Sequence, residues 1–185
     1  MSLDDELLQR VDTLGSVTWS GVTYRHTTAR RDPLSGAGAR LFGGRWNPKD
    51  IVATVYLATP LGTCLGELER VAQSQQTDVA TMLRAAYRLH TIVVSDVPVL
   101  DLRTPGALGA VGLSLADISD ADWTACQTVG HAAWFLGLGG VLAPSATGRG
   151  LVLAAFESHI GPGQFEVQAS EQLTPERYDE LVGQA

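Results

Sequence analysis

Leu3, Leu7, Leu8, Val11 and Leu14 recur at three- and four-residue spacing, which predicts an amphipathic helix with Ser2 and Asp5 as start signals. The period then changes. Residues 17–25 are rich in Val, Thr, Trp and Tyr and read as a strand. From 30 to 49 the periodicity stops, and Gly36, Gly38, Gly43 and Gly44 mark a long loop of the kind that carries function in compact domains.

Residues 52–58 predict a short buried strand, with Thr59 and Pro60 as N-cap and first residue of a helix reaching about Ala72. A second helix is expected over 77–85, then strands over 87–94 and 97–102. A helix starting near Asp120 carries Trp123, Cys126, Gln127, Gly130, His131 and Trp134. Residues 141–143, 151–157 and 165–169 read as late strands, and Thr174-Pro175 opens a last helix. The elements interleave without a regular βαβ rhythm and no linker or repeat divides them. The expectation is therefore one α+β domain over 1–185, with short strands and flanking helices.

Composition narrows the function. With 45% apolar and 18% charged residues the chain is globular rather than disordered. A net charge of −7 argues against direct DNA binding, which needs an excess of Lys and Arg. The most apolar stretch, 132–144, is too short and too Gly-interrupted to span a membrane, and Asp4, Asp5 and Glu6 stand where a signal peptide would be basic. Cys64 and Cys126 have no metal or redox spacing, and His26, His90, His131 and His159 no ligand spacing. A cytoplasmic protein with reduced thiols and no metal is expected. Neither a GxGxxG nor a P-loop run is present.

Against the acidic background, Arg25, Arg30, Arg31, Arg40, Arg45 and Lys49 are gathered with Asp32 as the one acidic neighbour. Guanidinium groups and glycine amides suit a discrete anion. The alternative is a solvated loop salt-bridged to the acidic remainder. Tyr56 ends a strand, and Glu67 follows among Leu65, Gly66 and Leu68 on an apolar helix face. A carboxylate there has either a chemical task or a buried partner, such as one of the loop arginines. His131 and Trp134 share a helix face and read as core.

The run from Ser35 to Pro48, SGAGARLFGGRWNP, resembles the signature of RES domains, and Val55-Tyr-Leu-Ala58 and Glu67 follow it as in that family. The Arg, Glu and Ser of the family name correspond here to Arg25, Glu67 and Ser145, and Gly130-His-Ala-Ala-Trp134 extends the likeness over nearly the whole chain. Within the family the chain looks most like the mycobacterial NAD⁺-degrading type. The resemblance implies a fold related to ADP-ribosyltransferase toxins, with NAD⁺ in a cleft between small sheets. It implies a toxin that depletes NAD⁺, with phosphate or water as acceptor, and an Xre-type antitoxin that blocks the site. No cofactor is implied, since NAD⁺ is the substrate and inorganic phosphate a possible co-substrate.

In that frame Glu67 stabilises the cationic ribose formed as nicotinamide leaves. Arg25 and Arg45 hold the diphosphate, Tyr56 stacks on nicotinamide or ribose, and Ser35 or Ser145 supplies a hydroxyl contact or merely a turn hydrogen bond. His26 stands where relatives can carry Tyr, which bears on any stacking or hydroxyl role there. An ADP-ribosyltransferase acting on a macromolecule would use the same pocket. A non-catalytic NAD⁺-binding or antitoxin-binding module is the reading from another class.

Overall fold

A computed structural model of the chain describes residues 3–184. Six strands, β1 (Val17–Thr28), β2 (Thr54–Thr59), β3 (Tyr87–Asp101), β4 (Gly140–Pro144), β5 (Leu151–Phe156) and β6 (Phe165–Gln172), make one sheet in the order β1-β2-β5-β4-β3-β6. Strand β1 also pairs with β3, so β1, β2, β5, β4 and β3 follow one another round a ring and β6 hangs on β3. The pairings are antiparallel except β3 with β4. This corrects the expectation of a cleft between small sheets built from short strands, because β1 and β3 run paired from Val17–Val99 to Thr28–Tyr87.

Strand alternation decides what each face buries. Val55, Leu57, Ile92, Val94, Val97, Val99, Leu142, Leu153 and Ala155 pack together and fill the inside of the ring. The other face is covered by helices. Val11 of α1 (Asp5–Leu14), Leu108 of α5 (Pro105–Ala110), Ile118 of α6 (Leu115–Ser119) and Cys126, Val129, Ala132 and Ala133 of α7 (Thr124–Phe135) pack on Leu100, Val141, Ala143, Ala154 and Phe156. Cys64, Leu65, Leu68 and Ala72 of α3 (Leu61–Ser74), Val79 of α4 (Val79–Met82) and Leu181 of α8 (Pro175–Val182) form a second layer with Ala58, Leu89 and Leu173.

The boundaries follow local chemistry. Asp4 caps α1 by accepting from the Glu6 amide, whereas Ser2 lies outside the described residues. Thr174 caps α8 with Pro175 in its first turn, as the sequence predicts. At α3 the expectation is one residue off: Thr59 stays in β2, paired with Leu151, and Pro60 is the cap. The helix expected over 77–85 shrinks to α4, capped by Asp78 on the Thr81 amide, and the expected 30–49 loop contains α2 (Ala37–Phe42). Helices α5 and α6 are additional. Thr104 starts the first, and a Ser114–Asp117 capping box starts the second. The two strands expected over 87–102 are one, bent at Asp96, which has φ 52°. Opposite that bend β1 is irregular between Trp19 and Gly21, and the Ser20 hydroxyl accepts from the Asp96 amide at 2.9 Å.

Helix α7 lies so close to the 43–48 loop that a Cβ on Gly130 would stand 1.9 Å from the Trp46 carbonyl oxygen. Gly130→Ala should therefore lower stability by about 1–3 kcal/mol or more in urea unfolding, because the helix must be pushed off the loop. Gly109→Ala on α5, with nothing within 4 Å, should leave the midpoint near parental. Equal midpoints for both variants would show that α7 is free to move away from Trp46.

Candidate active site

The signature loop is a knot of hydrogen bonds around a buried Asn. Asn47 is wholly buried and its side-chain amide donates to Ala39 O at 2.9 Å and Val52 O at 3.2 Å. Its Oδ1 accepts from the Tyr56 hydroxyl at 2.8 Å, and that hydroxyl in turn accepts from the Trp46 amide at 2.8 Å. The Trp46 ring, 1% exposed, fills the core under α7. Gly44 is glycine for space: a Cβ would stand 2.4 Å from the Tyr56 hydroxyl, and its carbonyl accepts from the Gln127 side chain at 3.0 Å. Burial pushes the Tyr56 phenol above its ordinary range, so it stays a neutral hydrogen-bonding group with its ring half-buried.

Arg45 projects from this knot. It donates to Asp117 O and Asp120 O, each at 3.0 Å, and its guanidinium carbon lies 5.6 Å from the centre of the Trp123 ring. Arg25 on β1 is held in the same manner by Pro33 O at 2.7 Å and Ser35 O at 3.0 Å. Carbonyls orient both arginines without neutralising them. Arg45 also reaches the Cys126 thiol, and neither arginine spends all five of its N–H groups on these partners. Burial, then Arg31, lowers Arg25 to about 10, still cationic at neutral pH. Among the described residues the cations of the 25–49 segment form no ion pair with the acidic remainder, contrary to the salt-bridged alternative.

Glu67 has a partner, and it is a serine rather than a loop arginine. Ser145, 3% exposed at the end of β4, donates to Glu67 Oε1 at 2.5 Å. The Thr147 amide donates to the Ser145 hydroxyl at 3.0 Å, and the two hydroxyls lie 2.8 Å apart. The single Ser145 proton is thus committed to orienting the carboxylate. Ser35 behaves as a turn residue: its hydroxyl accepts from the Ala37 amide at 3.2 Å, and its carbonyl holds Arg25. The neighbouring Gly36 amide donates to Glu157 at 2.6 Å.

The structure joins Glu67 to Ser145, and Arg25 to Ser35, and sets Arg45 beside Tyr56. No described hydrogen bond links Arg25 to Glu67. Burial pushes the Cys64 thiol on α3 up to about 12, with smaller opposing effects from Glu67 and Arg25. Ala146 and Tyr56 both pack against the core cluster that includes α7. Sequence reasoning missed Asn47, Trp46, Gln127, Thr147 and Glu157. The first two sit inside the signature run, while nothing local marks the other three. His131 and Trp134 stack at 5.8 Å, and Trp134 stacks again on His159 at 5.9 Å.

The RES domain family model matches residues 22–177. Proteins named NAD(+) phosphorylase MbcT from Mycobacterium tuberculosis (strain ATCC 25618 / H37Rv) and Mycobacterium bovis (strain ATCC BAA-935 / AF2122/97) are each 53% identical over 180 residues, which is 97% of this chain and 97% of theirs. A chain in the crystal structure of the M. tuberculosis MbcT–MbcA toxin–antitoxin complex matches with a TM-score of 0.93 and 53% identity, over 98% of this chain and 100% of that one.

His26, beside Arg25, has its ring 6.4 Å from that of Tyr87. Burial first, then the charge of Arg25, holds its pKa at about 4 instead of the ordinary 6.5. The folded imidazole resists the proton that the unfolded chain takes up near 6.5. Stability from His26 is therefore complete above that value and is lost as pH falls toward 4. His26→Gln should flatten the part of the urea-midpoint profile between pH 6.5 and 4. An unchanged profile would mean that this ring is hydrated.

Proposed function

This chain belongs to the RES domain family, and on that premise we propose that it is the toxin of a toxin–antitoxin pair and an NAD⁺ phosphorylase. It cleaves the nicotinamide–ribose bond of NAD⁺ and passes the ADP-ribosyl group to inorganic phosphate. One observation carries the reading: a carboxylate, Glu67, is held by a buried serine, in a chain 53% identical over nearly its full length to a protein named NAD(+) phosphorylase.

As nicotinamide leaves, its ring takes the electron pair of the C–N bond and the ribose becomes oxocarbenium-like. A fixed carboxylate stabilises that charge without reorganising, and the hydrogen bond from Ser145 supplies the fixing. Ser145 is on this reading a positioning residue. Arg25 and Arg45 bind the diphosphate through their remaining N–H groups. Tyr56 offers its ring face to the nicotinamide end, while its hydroxyl keeps the loop in place. Ser35 acts through Arg25. His26, neutral at pH 7, lends a ring rather than a charge. We read the curled sheet, with its carboxylate on the helix after β2, as a variant of the ADP-ribosyltransferase toxin fold, and the RES domain as spanning 1–185.

Removing the transition-state charge should cost about 10²–10³ in rate. Glu67→Gln should bind NAD⁺ with near-parental affinity and lose turnover to that extent in a ³¹P NMR time course. Losing one charge-assisted hydrogen bond costs roughly 1.5–3 kcal/mol, so Arg25→Ala and Arg45→Ala should each raise the KM for NAD⁺ about 10–100-fold. Parental turnover by Glu67→Gln would end its catalytic assignment. Free ADP-ribose as product would replace phosphate by water, and label on protein would make the chain an ADP-ribosyltransferase.

An enzyme that drains NAD⁺ in the cytoplasm needs an inhibitor, and the partner is an antitoxin of the Xre type, which leaves DNA binding to that protein. The basic 25–49 segment has uncommitted charge and, on α2, Phe42 at 75% and Leu41 at 55% exposure. Acidic or polar groups with an apolar anchor would be complementary to it. Hydrogen exchange of the complex should show protection over 25–49 and over the Glu67 turn of α3. Protection confined to the far side of the domain, with cleavage still blocked, would make the inhibition allosteric.

A further inference from the structure

Helix α3 has a second polar side. Counting round the helix, Thr63, Gly66, Arg70 and Gln73 lie on one flank, and Glu67 sits at its border. That flank forms one wall of a groove of about 740 Å³, closed by Thr147, Arg149 and Gly150 of the β4–β5 loop and by Tyr178 of α8. A volume of this size accepts a small ligand.

Two arginines line the groove. Arg70 Nη1 is buried and finds no hydrogen-bond partner among the described residues. Such an N–H is unfavourable where it stands, and it gains an acceptor from a groove ligand only if the side chain turns into the groove. Among the described residues neither Arg70 nor Arg149 is in an ion pair, and the lining sets these two arginines against one carboxylate, Glu69. The loop that presents Arg149 is held in shape. Thr63 donates to Arg149 O at 3.2 Å, Thr147 donates to the same carbonyl at 3.1 Å, and Gly150, at φ 67°, leaves no room for a side chain against Thr63.

The groove also reaches the candidate active site. Thr147, on its wall, is 2.8 Å from the Ser145 hydroxyl, which is 2.5 Å from Glu67. We propose that this groove, with Arg70 and Arg149, is an oxyanion site that takes inorganic phosphate and holds the acceptor beside the Glu67–Ser145 pair. The proposal rests on the phosphorylase reading. A phosphate oxygen supplies the electron pair for the new C–O bond at the ribose carbon as the C–N pair departs with nicotinamide. Any proton on the attacking phosphate passes to solvent from the product ester. Two guanidinium groups lower the repulsion between this anion and the Glu67 carboxylate.

The test uses inorganic phosphate as probe with the purified chain. Phosphate alone should raise the melting temperature of the parent, and Arg70→Gln and Arg149→Gln should abolish that shift. Arg149 is exposed on its loop, so its variant keeps the fold whatever Arg70 does to α3. In turnover both variants should raise the KM for phosphate about tenfold or more while the KM for NAD⁺ changes less than twofold. A KM effect on NAD⁺ instead would assign the groove to the dinucleotide diphosphate and overturn the proposal, as would a parent that phosphate does not stabilise. If the parent leaves NAD⁺ intact yet shows a phosphate shift that both variants lose, the oxyanion site stands and the phosphorylase reading falls.

Discussion

The contact of helix α7 with the Trp46 carbonyl is the constraint on which the site depends. It exists because position 130 has no side chain and because the loop beneath it is knotted by Asn47. A wholly buried amide with partners for both ends allows few alternative arrangements, since each alternative strands a polar group in the core. The knot turns the Tyr56 ring, sends Arg45 outward toward Asp117 and Asp120, and anchors α2 through Ala39. Trp46 ties the same segment to the core packed on β4 and β5. A loop so rich in glycine would otherwise lose a large conformational entropy on ordering around a ligand.

The chain also separates positioning from neutralisation. Arg25 and Arg45 are oriented by backbone carbonyls, and Glu67 by a hydroxyl, so neither sign of charge is spent on the other. A salt bridge from Glu67 to a loop arginine would have anchored both side chains while removing the fields that a charged ligand and a cationic transition state need. Ion pairs occur instead at the periphery, between Arg10 and Glu6, Arg103 and Asp101, and Arg177 with Glu171 and Glu180. Exposed pairs of that kind contribute little stability.

The sheet carries the elements that bear these groups. Closing β1 onto β3 as well as β2 sets the Arg25 strand beside the strand that leads into α3, Tyr24 standing opposite Ala58. The irregularity at Trp19–Gly21 and the bend at Asp96 let two long strands wrap a core of Val, Ile and Leu. Helices then occupy the outer face.

Much was legible in the sequence by itself. The period of apolar residues located α1, the start signals Thr59-Pro60 and Thr174-Pro175 pointed to α3 and α8, and β-rich runs marked most strands, because these signals are written locally. The charge contrast picked out the 25–49 segment, and the GGRWNP run identified the family. Glu67 stood out because a carboxylate on an apolar face needs a reason. What only the tertiary structure decided is who meets whom. Ser145 is 78 residues from the carboxylate it orients, Gly36 is 121 from Glu157, and no spacing rule encodes such pairs. The ring closure, the fusion of two expected strands at Asp96, and the role of Gly130 are likewise absent from local pattern. They arise from close approach between distant segments, where the physical variable is the space left by neighbours rather than the propensity of the residue.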